Sequence, residues 1–185
     1  MRGQDASATT ECRDFCSDLY AIYMITEDHR RQLQRAALQE HLALVEQSAA
    51  ALRHSMAKCA PLELKAEYTL DEMDHFEALS ARFARTSDLY TQKLLKSLFM
   101  VLGEDAVSFL DKTRLAEKLA IIDNAEDLAA IRDLRNTISH EYAAANLNEV
   151  FRRTLSLSGT LLTLIASTGG YVREKLPSSP ACGGT

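Results

Sequence analysis

Apolar residues recur at intervals of three and four along most of the chain, which is the spacing of helices that bury one face. The longest series consists of Leu38, Leu42, Val45, Ala49, Leu52 and Met56. It predicts a helix from about His29 to Lys58. Pro61 is expected to end this helix, because proline lacks the amide proton that a further turn needs.

The residues before this helix fall into two segments. Residues 1–10 are small and polar, so we expect a disordered N-terminus. Apolar side chains then follow at helical spacing at Phe15, Leu19, Ile22 and Tyr23. They predict a short amphipathic helix that stops near Thr26, with Thr26 or Asp28 capping the long helix.

A second long helix is predicted to begin after Thr69, which forms the pattern of a capping box with Glu72. Its apolar stripe consists of Met73, Phe76, Phe83, Tyr90 and Leu94. Core packing is the favoured interpretation of this stripe. Gly103 is expected to end the helix.

Three further helices are predicted in the second half of the chain. The first runs from about Asp105 to Ile122, with inward residues Phe109, Leu110, Leu115, Leu119 and Ile122. The second begins near Ala125 and buries Leu128, Ile131, Leu134 and Ile138. The last runs from about Asn146 to Ser167 and is expected to end at Gly169-Gly170.

Composition supports one helical domain. The chain has 185 residues, 46% of them hydrophobic, with only seven Gly and three Pro, so it has enough residues for one well-filled core and little loop. We predict an all-α, antiparallel bundle of four to five helices over residues 11–175. Residues 176–185 are rich in Pro, Ser and Gly and predict a flexible C-terminal tail.

Charge and cysteine usage limit the function classes. The net charge of −5 weighs against nucleic-acid binding through a broad basic surface, although a local basic site is compatible with it. The four cysteines form no C-x-x-C pair and are interpreted as free thiols. With no apolar signal segment at the N-terminus and many polar residues between 155 and 172, we predict a cytoplasmic protein without a membrane span.

The main concentration of chemistry is the segment at 135–142, of sequence R-N-T-I-S-H-E-Y. Guanidinium binds phosphate, and imidazole transfers protons near neutral pH. At 100° per residue, Asp133, Asn136 and His140 share one stripe, whereas Arg135 lies about 140° from His140. One helix therefore presents Arg135 and His140 poorly to a single ligand, and two copies facing across a symmetry axis present them well.

The segment resembles the R-x4-6-H motif of the HEPN superfamily of helical proteins. More narrowly, R-N-x-x-x-H-x-Y resembles the HepT-type ribonuclease toxins, through Asn136 and Tyr142. This resemblance implies a HEPN-like, dimeric bundle that cleaves RNA without metal or cofactor. It implies catalytic roles for Arg135, His140 and Asn136, with Asp133 and Glu141 beside them.

The resemblance also implies a partner and a means of control. HepT-type toxins pair with a minimal nucleotidyltransferase antitoxin, which here would transfer AMP to Tyr142 and so block the binding of RNA. One departure from a favourable RNA site is Glu141, because a carboxylate between His140 and Tyr142 repels phosphate.

Other interpretations of the same residues stay open. A non-catalytic helical subunit that binds nucleotide, or presents it to a nucleotidyltransferase, fits the motif equally well, and a purely structural adaptor needs only a salt bridge at Arg135. Glu72 and His75 form one E-x-x-H, but a di-iron site needs a second, which the chain lacks. The basic residues His29, Arg30, Arg31 and Arg35 favour a solvated helix face over an RNA contact.

Overall fold

The computed structural model of the protein describes residues 6–62, 65, 67–104, 108–140 and 147–177, with the side chains at 6–23, 25, 139 and 140 left out. Within these ranges the chain is helical and contains no strand, as the apolar periodicity predicts. Its helices are α1 (Ala6–Cys59), α2 (Leu70–Leu89), α3 (Leu95–Leu102), α4 (Phe109–Lys118), α5 (Ala125–His140) and α6 (Leu147–Lys175). A π-helical turn, Tyr90–Leu94, joins α2 to α3 in one continuous rod.

The helices form a bundle around one hydrophobic core, to which each of α1–α6 contributes fully buried side chains. Four cross-helix pairs connect α1 to α2 and α3: His41–Ser97, Ser48–Thr86, Ser55–Arg82 and Cys59–His75. Residue numbers rise along α1 as they fall along its partner, so these helices are antiparallel. In contrast, Phe76 stacks on Phe151 and Tyr90 bonds to Thr168, so α2 and α6 run parallel.

Most of the local signals that begin or end a helix were predicted correctly. Thr69 and Glu72 form the predicted capping box, with Thr69 N donating to Glu72 Oε2 at 2.9 Å. Gly103 ends α3 in the left-handed conformation, with φ of 72°. α1 ends at Cys59, just before Pro61.

The predicted break near Thr26 is wrong, because α1 continues through it from Ala6 to Cys59. No glycine or proline occurs between those two residues, and a capping residue alone does not stop a helix whose next turn is favourable. Residues 6–10, predicted to be disordered, are helical for the same reason. Residues 1–5 lie outside the described part of the chain.

Two corrections concern the second half. Leu110 was predicted to face inward but is 54% exposed, because α4 turns Thr113 and Ala116 to the core. α4 also ends at Lys118, four residues before the predicted end, and the Asp105 start lies outside the described residues. Ala120 then adopts a left-handed φ of 53° in the turn that leads to α5.

The glycine pair at 169 and 170 does not end α6, which was predicted to stop there and instead continues to Lys175. Val172 beyond the pair is fully buried, so the continuation gains core packing. Gly169 is buried, and a Cβ there would come 3.1 Å from Arg173 Nη2 and 3.4 Å from Glu46 Oε1. The missing side chain therefore allows the Arg173–Glu46 pair to lie across α6 and α1.

By length and composition, α6 is the one helix of the described chain that could cross a membrane. The same helix supplies Phe151, Leu161 and Ile165 to the core and packs against α1, α2 and α5. This is the environment of a core helix in a bundle. Its C-terminal neighbour Leu176 also packs on the core, and the tail beyond Pro177 is outside the described residues.

Candidate functional site

A pocket of about 420 Å³ lies where the end of α2 and the π-helical turn face α5. We call it the Arg135 pocket. Its lining residues are Ser87, Asp88, Thr91, Gln92, Phe109, Arg132, Arg135 and Asn136. Two members of the predicted motif, Arg135 and Asn136, therefore line one cavity. The π-helical turn supplies Thr91 and Gln92 to the wall, and such turns occur often at functional sites.

The helix that carries the motif is oriented as its periodicity predicts. Leu128, Ile131 and Leu134 of α5 are fully buried. Asp133 and Asn136 are exposed on the opposite side of α5. The apolar face therefore packs α5 into the bundle, and the polar face is open to solvent.

Arg135 forms a two-point ion pair with Asp88 of α2. Its Nε lies 2.9 Å from Asp88 Oδ1 and its Nη2 lies 2.8 Å from Oδ2. The hydrogen bonds that Arg135 donates to Asp88, and then the charge of Asp88, raise the pKa of Arg135 above its ordinary value. Because two nitrogens of the planar guanidinium are bonded to one carboxylate, the group is held in one orientation. Its raised pKa keeps it positively charged.

Asn136 is adjacent to this ion pair. Arg135 Nη1 lies 3.5 Å from Asn136 Oδ1, at the outer limit of a hydrogen bond. Asn136 is itself exposed and also lines a second cavity beside Asp133. Its amide can therefore donate to a ligand oxygen while its own oxygen stays near Arg135.

The remaining motif residues are not placed by the structure. α5 ends at His140, whose side chain is outside the described set, and Glu141 and Tyr142 lie outside the described residues. The convergence of His140 with Arg135 thus stays a prediction.

Sequence reasoning missed Asp88 and Arg132. Asp88 is 47 positions from Arg135 in sequence, so nothing local to the motif indicates their pairing. Arg132 had a weak signal, since it lies one helical turn before Arg135 on α5 and therefore on a neighbouring part of its face. Its guanidinium carbon lies 4.4 Å from the centre of the Phe109 ring.

Two other groups of residues were considered as sites in the sequence, the Glu72–His75 pair and the basic residues at the start of the long helix. The Glu72 carboxylate accepts hydrogen bonds from Lys65 and Thr69, which lower its pKa to about 2, so its lone pairs serve the capping box and an ion pair. No cluster of three metal-binding side chains occurs among the described residues. His29, Arg30, Arg31 and Arg35 are all exposed on α1, as predicted for a solvated face.

A partly buried contact between His41 and Ser97 was not predicted. His41 Nδ1 lies 2.5 Å from Ser97 Oγ, while Ser97 Oγ donates to the carbonyl of Lys93 at 2.8 Å. The serine proton is thus committed to the backbone, and the imidazole donates to the serine rather than accepting from it. This pair connects α1 to α3 and does not have the arrangement of an activated nucleophile.

Comparisons of the chain with known protein families, with curated proteins and with solved structures find no significant match.

Proposed function

We propose that this chain is a HEPN-like, metal-independent endoribonuclease that acts as the toxin of a toxin–antitoxin pair. The observation that carries the proposal is that Arg135 and Asn136, neighbours in the R-N-x-x-x-H-x-Y motif, line the same pocket with the guanidinium held in fixed orientation. A fixed guanidinium is suited to a phosphodiester, because it offers a planar set of donors to the phosphate oxygens.

The proposed reaction uses side chains alone. The 2′-oxygen of the RNA attacks the adjacent phosphorus while the bond from phosphorus to the 5′-oxygen breaks. His140 accepts the 2′-hydroxyl proton while water protonates the leaving 5′-oxygen, or it protonates that oxygen while water accepts the 2′-hydroxyl proton. Arg135 stabilises the charge that develops on the phosphate oxygens. Asn136 orients the phosphate. No metal ion or cofactor is needed.

Asp88 has two opposing effects in this proposal. It holds Arg135 in one orientation, which lowers the entropic cost of binding a phosphate in a productive position. It also neutralises part of the charge, so a phosphodiester must share the guanidinium with Asp88 or displace the carboxylate. The balance between these effects is what a substitution at Asp88 measures.

The proposal includes a homodimer and a partner. Because Arg135 and His140 are about 140° apart on one helix, each active site would take one residue from each protomer. A minimal nucleotidyltransferase would act as antitoxin by transferring AMP to Tyr142 beside the site. The anionic AMP group would then compete with RNA phosphate for Arg135.

The second candidate is a non-catalytic subunit that binds or presents nucleotide to a nucleotidyltransferase. The observation that favours it is the Asp88 ion pair, because Nε and Nη2 of Arg135 are both bonded to a carboxylate. A guanidinium whose charge is partly neutralised by a carboxylate still binds a phosphate weakly. It stabilises a charged transition state less than an unpaired guanidinium does.

Cleavage of mixed cellular RNA by the purified chain in EDTA separates the two candidates. The ribonuclease proposal expects cleavage that Arg135→Ala and His140→Ala each abolish. Arg152→Ala is the matched control, since Arg152 is also an ion-paired, exposed arginine but lies on α6. If the wild type and both motif variants are equally inert while nucleotide binding depends on Arg135, the non-catalytic candidate is favoured.

A further inference from the structure

Phe109 and Arg132 form a cation–π pair between two cavities, with the guanidinium carbon over the ring at 4.4 Å from its centre; we call this pair the stack. Both residues line the Arg135 pocket, and both also line a groove of about 730 Å³ between α4 and α5. The other groove residues are Leu110, Thr113, Arg114, Glu117, Asn124, Ala125, Glu126, Ala129, Asp133 and Asn136. The pocket and the groove are therefore neighbouring parts of one depression, with the stack at their junction.

The two cavities differ in charge. Among the described residues, the lining of the Arg135 pocket contains two guanidiniums and one carboxylate, an excess of one positive charge. The described lining of the groove contains two guanidiniums and three carboxylates, an excess of one negative charge. A phosphate is accordingly favoured in the pocket and disfavoured in the groove, where an uncharged group fits better.

The stack itself is accessible. Arg132 is exposed and Phe109 is half-buried. Within the described part of the chain, Arg132 contacts the ring of Phe109 and pairs with no carboxylate. The guanidinium of Arg132 is thus not bound to a carboxylate, and one side of it is covered by an aromatic ring. Its other side can accept a nucleobase.

We infer that the Phe109–Arg132 pair is a stacking platform for an unpaired nucleobase whose phosphate lies in the Arg135 pocket. The inference rests on the proposed function only for the placement of the phosphate. It names the substrate class as single-stranded rather than duplex RNA, because a base held in a duplex stack cannot lie on a side-chain platform. It also separates the roles of two arginines one turn apart, since Arg135 holds phosphate and Arg132 holds a base.

The fluorescence of 2-aminopurine tests the platform, since this base is quenched when it stacks. A 2′-deoxy trinucleotide with 2-aminopurine at its centre is not cleaved, and its abasic counterpart retains the phosphates without the base. For the wild type we expect quenching on binding and a clear preference for the base-containing trinucleotide. We also expect 2-aminopurine riboside monophosphate to bind more weakly than the trinucleotide if RNA is the source of the base.

Conservative variants separate stacking from charge and from folding. Phe109→Leu and Arg132→Lys should lose the quenching and bind the base-containing trinucleotide about tenfold more weakly, which is typical of one lost base stack. Their affinity for the abasic trinucleotide should stay unchanged, because neither substitution alters charge. Phe109→Tyr should keep the quenching, and Arg152→Lys, on α6, is the matched control for Arg132→Lys.

Three results would overturn the platform. One is that Phe109→Leu and Arg132→Lys quench and discriminate like the wild type, in which case the stack only joins α4 to α5. Another is equal wild-type affinity for the two trinucleotides, and the third is no detectable binding of either. A chain that discriminates by base but cleaves no RNA keeps the platform and overturns the ribonuclease, so the two failures are distinguishable.

Discussion

The guanidinium of Arg135 and the carboxylate of Asp88 face each other in a two-point ion pair, with contacts of 2.9 and 2.8 Å, that joins the motif helix to the last turn of α2. The two side chains are 35% and 43% exposed, so solvent screens the pair and its contribution to stability is small, about 0–1 kcal/mol. Under the proposed function its main consequence is for ligands, because Asp88 would be the charge that an incoming phosphate meets at Arg135.

Asp88→Asn is expected to strengthen the binding of single-stranded oligonucleotide. Removal of one negative charge next to the phosphate position favours binding by about fivefold, which corresponds to about 1 kcal/mol. The slope of log Kd against log salt concentration should steepen by about 0.7, since one further phosphate charge is neutralised by the protein. Fluorescence anisotropy with a labelled 2′-deoxy oligonucleotide over a salt series measures both quantities.

Glu149→Gln is the control for this change, because Glu149 is a carboxylate paired with Arg152 on α6. If Asp88→Asn and Glu149→Gln shift affinity and salt slope equally, the effect is one of net charge. A ligand site at Arg135 would then lose its support.

Tyr90 and Thr168 provide a test of the core. The Tyr90 hydroxyl lies 2.9 Å from Thr168 Oγ1, which itself donates to the carbonyl of Leu164 at 2.9 Å, so Tyr90 is the donor in the first bond. Tyr90→Phe removes one hydrogen bond and leaves Thr168 bonded to Leu164, so it should cost about 1 kcal/mol. Thr168→Val leaves a buried hydroxyl without a partner and should cost more, about 1–3 kcal/mol.

Urea unfolding of the two single variants and the double variant measures the coupling. In the double variant the orphaned hydroxyl is absent, so its loss of stability should be smaller than the sum of the single losses. Additive losses would contradict the hydrogen bond between α2 and α6.

Stability at alkaline pH should depend on the same tyrosine. Burial raises the pKa of Tyr90 from 10.0 to about 12. The unfolded chain therefore ionises first, and stability is complete below pH 10 and is lost as pH rises to about 12. The loss attributable to Tyr90 is about 2–3 kcal/mol. Tyr90→Phe should show a correspondingly flatter decline in free energy of unfolding over this range, and identical declines in the two proteins would exclude the ionisation of Tyr90 as a cause.

What could be predicted from the sequence was whatever depends on local periodicity or local chemistry. The buried face of α5 follows from Leu128, Ile131 and Leu134, because their spacing fixes the side of the helix that enters the core. The capping box at Thr69 involves only residues within one turn. Because α5 is anchored in this way, the exposure of Asn136 could be predicted as well.

What could not be predicted depends on how distant segments meet. The Asp88–Arg135 pair joins residues of two helices, and neither helix encodes the other's position. The π-helical turn likewise depends on tertiary packing, and the close approach at Gly169 depends on how α6 packs beside Glu46 of α1. A glycine is compatible with either a helix end or a close helix contact, so the pair at 169 and 170 was assigned the wrong role.

Complementation between two inactive variants tests the composite site of the proposed dimer. If Arg135 and His140 act across the interface, a heterodimer of Arg135→Ala and His140→Ala protomers contains one intact site and one doubly defective site. Each heterodimer should therefore recover about half of the wild-type cleavage, and an equal mixture with random pairing about a quarter per dimer, as the twofold symmetry requires. Each variant alone should stay inert.

Light scattering is the companion measurement, because the composite site requires a mass of twice the 20.5 kDa chain. If the variants form dimers but a mixture of them shows no cleavage, Arg135 and His140 of each site would belong to the same protomer. A monomer at micromolar concentration would remove the composite site altogether.

Tyr142→Phe tests the proposed control by AMP transfer. The phenol oxygen is the proposed acceptor, so the variant should keep its helicity and any ribonuclease activity but escape neutralisation by an AMP-transferring partner. Co-expression with a minimal nucleotidyltransferase, followed by mass spectrometry of the peptide that contains Tyr142, should show one added AMP in the wild type and none in the variant. Among the other tyrosines, Tyr171→Phe is the matched control, since Tyr171 lies on α6 and is half-buried against the core. AMP found on a different residue, or full neutralisation of Tyr142→Phe through binding alone, would show that the partner does not act through Tyr142.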